Sequence, residues 1–140
     1  MEYPRSAYET VGGIVYFGRM LDKIRLNDAG HLPPDYHANL GAGFDKMCVD
    51  FLHIQYADVV MRVREKMGDE AILQWCFLHG RRPTPEEIEV WNGYMSKRGW
   101  RDSAADRLAL RKKESGFENR AEIRTMFDYL DADEGRPVRP

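Results

Sequence analysis

Between Thr84 and Gly99 the chain spells out a short helix from cap to stop, and the same grammar recurs along most of its length. Thr84 is a good N-cap, Pro85 suits the first helical position, and Glu87 completes a capping box. Glu86 and Glu87 also favour the positive end of the helix dipole. Ile88, Trp91 and Met95 then recur at helical spacing before Gly99 closes the segment. Strand alternation is nearly absent. Short apolar bursts at spacings of three and four, several of them closed by glycine, can bury their stripes only by packing helix on helix.

Reading outward from that segment gives about seven helices. Val11, Ile14, Leu21 and Ile24, with Phe17 alongside, predict a first helix over 6–26. Gly12 and Gly13 weaken it, either to admit a close backbone or as a break before the true helix. Phe44, Met47, Cys48, Phe51 and Leu52 make one stripe. Tyr56, Val59, Val60, Val63 and Met67 make another, stopped by Gly68. Asp69 caps a helix carrying Ile72, Trp75, Cys76 and His79 and ending at Gly80. Residues 103–114 form a more polar helix anchored by Leu108. Asn119 and Glu122 resemble a capping box opening a last helix with Ile123, Met126, Phe127 and Leu130 inside. One long loop, 27–43, interrupts the pattern, and loops of that length in small domains are often functional. The expectation is an all-α, compact single-domain bundle over 1–140, with a flexible tail over 135–140.

Composition narrows the function classes. A chain of 140 residues forms one core without staples. No apolar run approaches the ~20 residues of a membrane span, and the N-terminus has no signal-peptide pattern. Cys48 and Cys76 sit on separate apolar stripes and read as free buried thiols of a reducing, cytoplasmic setting. A net charge of −2 speaks against a protein dominated by nucleic-acid binding. Residues 81–125 carry 11 Lys or Arg against 8 Asp or Glu. Within them Arg107 and Arg111 share a helix face near Trp100, but interleaved Asp102, Asp106 and Glu114 make this a solvated surface.

Three polar groups invite chemistry. Arg19, Asp22 and Lys23 lie three and four apart and can meet on one helix face, where a planar arginine fork suits a phosphate or carboxylate. His31, Asp35, His37 and Asp45 are metal-ligand types, yet no zinc spacing supports them, so no metal and no cofactor is expected. Asp131, Asp133 and Arg136 belong to an acidic run followed by glycine that lacks a calcium loop's remaining residues. Acids past a helix C-terminus face an unfavourable dipole, so they are expected to fold back onto a cation, Arg19 or Lys23. No nucleophile–base pair and no phosphate loop is present.

Pro4-Arg5-Ser6, Gly12-Gly13, Arg19-Met20-x-Asp22-Lys23-Ile24-Arg25, Phe44-Asp45, Phe51-Leu52, Glu86-Glu87-Ile88-x-x-Trp91-Asn92 and Asp131-x-Asp133-Glu134-Gly135-Arg136 occur in that order. Together they resemble a bacterial domain-of-unknown-function family, number five thousand and sixty-nine. The resemblance implies a small bacterial cytoplasmic protein and brings no activity with it. Two functions follow from the residues. The first is a helical binding or interaction module presenting the Arg19/Asp22/Lys23 face and the 27–43 loop to an anionic small molecule or a protein partner, a homodimer included. The alternative is a small enzyme running acid–base chemistry among Asp22, His31, His37 and Asp45 under a loop lid.

Overall fold

Gly12 and Gly13 do not continue a helix. In the computed structural model, which describes residues 2–140, they form the tip of a hairpin between β1 (Thr10–Val11) and β2 (Ile14–Val15), paired antiparallel. Both have positive φ, 57° and 78°, as a primed two-residue turn requires. A Cβ on Gly12 would come within 2.4 Å of Leu73 Cδ2. The helix expected over 6–26 therefore begins only at Phe17, and the fold is mostly helical rather than purely α.

Among the described residues seven α-helices follow: α1 (Phe17–Asp28), α2 (Phe44–Leu52), α3 (Tyr56–Arg64), α4 (Asp69–His79), α5 (Pro85–Lys97), α6 (Ala105–Glu114) and α7 (Met126–Asp133). The expected 27–43 loop loses its first two residues to α1 and folds Pro34–Asn39 into a 3-10 helix, so 29–43 is only partly irregular. Gly68 precedes α4 rather than ending α3, where Lys66 takes the left-handed turn at φ 64°. The Asn119/Glu122 pattern opens no helix. Thr125 caps α7 instead, accepting from the Asp128 amide at 3.1 Å. The Thr84 capping box forms as read, with both reciprocal bonds present.

The main core gathers Ile14, Phe17, Met20, Leu21, Leu52, Ile72, Leu73, Met95 and Phe127. A smaller cluster of Leu108, Ile123, Tyr129 and Ala132 seats α6 on α7. Two strands of two residues cannot stand alone, and α5 supplies the missing bonds. Asn92 Oδ1 accepts from Val15 N, Asn92 Nδ2 donates to the Gly13 carbonyl, and Trp91 Nε1 donates to the Val15 carbonyl. Close approach elsewhere rests on Gly80, whose added Cβ would lie 2.0 Å from the Leu52 carbonyl oxygen. Cys48 and Cys76 are both buried and free. No helix among the described residues is long and apolar enough to cross a membrane.

Candidate functional site

The first two turns of α1 are buried nearly all round, charged residues included. Arg19 is 2% exposed and Lys23 4%. Ionised side chains at that depth must be paired, and each member of the Arg19/Asp22/Lys23 trio finds its own partner rather than one another.

Arg19 reaches across the molecule to Glu134. Its Nη1 and Nη2 donate to Oε1 and Oε2 at 2.8 and 2.6 Å, and Nη1 also donates to the Arg5 carbonyl at 3.1 Å. Glu134 further accepts from Tyr36 Oη at 2.5 Å and from Arg136. Arg136 in turn donates to the Pro4 carbonyl, and Arg139 lies over the Tyr8 ring. The two ends of the chain are thus clasped around one buried carboxylate. Burial pushes the Glu134 carboxyl up, but Arg19, Tyr36 and Arg136 outweigh it and hold it below its ordinary value. Of the acidic run it is Glu134 that reaches Arg19; neither Asp131 nor Asp133 pairs with Arg19 or Lys23. Asp131 is buried with an Oδ1 that has no hydrogen-bond partner, and desolvation raises its pKa. Asp133 is exposed.

Lys23 belongs to a second buried group. Its Nζ donates to Asp45 Oδ1 and Oδ2 at 3.0 and 3.1 Å, Tyr16 Oη donates to Oδ1 at 2.6 Å, and the Gly41 amide donates to Oδ2 at 3.0 Å. Desolvation lowers the Lys23 pKa and raises that of Tyr16. Tyr16 is the N-cap of α1 with φ 74°, a left-handed backbone that a bulky residue adopts only when its surroundings impose it. Asp22 faces a third way. It accepts from the Arg5 amide, Nε and Nη2, and Arg5 and Arg25 both reach Asp69 at the start of α4.

The loop residues do not join these groups. His31 Nδ1 lies 2.6 Å from Glu2 in an exposed pair, and His37 Nε2 sits 3.2 Å from the Leu32 carbonyl. Asp22, His31, His37 and Asp45 therefore have four separate sets of partners. Among the described residues no group of three or more His, Cys, Asp or Glu is placed to hold a metal ion.

A concave surface lies elsewhere. An open groove of about 710 Å³ runs between α2 and α5. Met47 and Phe51 form one side, Val90 and Tyr94 the other, and Trp91 the floor. Phe51 stacks on Trp91 with ring centroids 4.6 Å apart. Arg81 closes one end: its guanidinium lies over Phe51, Nε donates to the Phe51 carbonyl at 2.8 Å, and Nη1 pairs with Glu87 at 2.5 Å. None of these residues was singled out as a site from the sequence. The available signal was that Val90 and Tyr94, four apart on α5, fall off the Ile88/Trp91/Met95 stripe; they stay 66% and 47% exposed.

The model of the family described as Domain of unknown function (DUF5069) matches residues 1–136, and the chain belongs to that family. Among curated proteins nothing matches it.

Proposed function

We propose that this member of the DUF5069 family is a helical interaction module that engages a partner through the groove between α2 and α5. One observation carries the reading. Val90 and Tyr94 are large apolar side chains held in the open beside Phe51 and Trp91, and α5 gains no stability from displaying them. Contiguous exposed apolar surface with a polar rim marks a contact site more often than a neutral surface. The Arg19/Asp22/Lys23 face is a weaker candidate for an anionic ligand, because its cations already hold carboxylates and lie below the surface. The enzyme alternative needs acid and base converging on one cleft, whereas Asp22, His31, His37 and Asp45 are partnered apart. Free, buried Cys48 and Cys76 suit a reducing compartment.

The test is a photoreactive phenylalanine analogue placed at Val90 in cells expressing the protein, with the same analogue at Leu78 as control. Leu78 is an exposed α4 side chain outside the groove. Discrete adducts from position 90 and none from 78 are expected. Equal labelling from both positions would overturn the groove as the contact surface.

A further inference from the structure

Resting on the α2/α5 groove as the contact surface, we infer that its occupant is a basic amphipathic helix of a partner protein, with apolar anchors one turn apart flanked by Lys or Arg. The shape argues for an elongated segment. Val90 and Tyr94 sit at i and i+4 on α5, Met47 and Phe51 at i and i+4 on α2, and Trp91 lies between them. Two such ridges bound a trough that takes the apolar stripe of a third helix, read as i and i+4 anchors. The trough is open along its solvent side, whereas sites for small molecules bury most of the ligand.

Charge selects the class of helix. Asp50, Glu86 and Glu87 line the groove with Arg81, while Arg98, over the Tyr94 ring, is paired with Asp102. Arg81 is consumed: Glu87, the Phe51 carbonyl and the Phe51 ring hold it in place. Asp50 is neutralised only by Lys46, in a pair whose side chains are 59% and 62% exposed and which a competing cation displaces at little cost. Glu86, one turn before Val90, extends the acidic character along the α5 side of the trough. The groove therefore presents an apolar floor beside one carboxylate unpaired among the described residues, Glu86, and a second, Asp50, held only by an exposed lysine. It repels phosphate backbones and anionic headgroups and complements Lys or Arg flanking an apolar stripe.

Three peptides of about fourteen residues test this, identical in two leucines at i and i+4 and differing only in flanking Lys, Gln or Glu. Binding is followed by amide and indole NMR shifts of the folded chain. The Lys peptide is expected to shift resonances of α2, α5 and the Trp91 indole, to bind about fivefold or more tighter than the Gln peptide, and to lose that margin in salt. Glu86→Lys and Asp50→Lys, both at exposed positions, are expected to abolish the preference with the fold intact, and Val90→Arg to abolish binding. Equal binding of Lys and Gln peptides at the groove overturns the basic occupant and leaves the groove reading standing. Shifts elsewhere on the surface, or no binding of any peptide, overturn the occupant as well. A dimer of the chain alone that Val90→Arg dissociates makes a second copy the occupant and overturns the proposal.

Discussion

Glu134 carries more polar bonds than any other side chain at the chain ends, and its environment dictates how it fails. Replacing it with alanine leaves Arg19 charged, buried and unpaired, a change that costs about 3–5 kcal/mol; urea unfolding at pH 7 is expected to show it. Because the Glu134 pKa is depressed, its contribution is present above the unfolded value near pH ~4.3 and is lost as pH falls through the folded value. The gap between wild type and Glu134→Ala is accordingly expected to narrow below about pH 4. Lys23 and Asp45 form a comparable unit. Lys23→Met and Asp45→Asn each strand a buried partner, so the double variant is expected to cost less than the sum of the singles, with a coupling of about 1 kcal/mol or more. Arg19, Asp22 and Lys23 stood out in the sequence, but the helix-dipole reasoning pointed to Asp131 and Asp133, which lie within α7, while the acid that reaches Arg19 is the Glu134 that caps it. The burial of Arg19 and Lys23 was not legible, because charged residues at helical spacing ordinarily face water. Nor could spacing show that the Arg19 partner lies 115 residues away.

At the scale of elements, capping chemistry is what the sequence states most plainly. The Thr84 box is complete, and Thr84→Ala is expected to lower stability by about 1 kcal/mol in thermal or denaturant unfolding. The α2, α3, α4 and α5 stripes were legible because their buried apolar residues recur at helical spacing. The hairpin was not. Val11 and Ile14 are three apart, which fits a helix turn as well as a hairpin pair across Gly12-Gly13, and only α5 makes the two-residue strands viable. Asn119 and Glu122 carry the spacing of a capping box without its geometry, and Thr125 outcompetes them by capping the turn that packs Phe127. Gly80 is a contact that sequence could not announce. Gly80→Ala drives a methyl into the Leu52 carbonyl and is expected to cost about 3 kcal/mol, the upper end of ordinary overpacking; an unchanged melting temperature would contradict that reading.

Taken whole, the molecule buries weak acids generously, and that sets its response to alkali. Burial raises Cys48, Cys76 and Tyr16 well above their ordinary values, with Cys76 pushed up to about 12. Tyr8, Tyr36, Tyr56 and Tyr129 are raised as well. An acid whose folded pKa is raised keeps its proton while its unfolded counterpart releases it, so stability is full below the unfolded value and falls above it. Unfolded thiols ionise near ~8.5 and phenols near ~10, and each fully buried group removes about 1.4 kcal/mol per pH unit beyond that point. Lys23, with its lowered pKa, acts in the opposite direction as one group against several. Urea midpoints are therefore expected to fall from about pH 8.5 upward, and a flat profile to pH 10 would refute this. The clasp at Glu134 also bears on how the chain is made. At roughly 5–20 residues per second, Arg19 is added to the chain on the order of 6–23 s before its carboxylate partner. The earliest helix is thus the last to be completed, and a nascent chain stalled before residue 134 carries an Arg19 whose carboxylate does not yet exist.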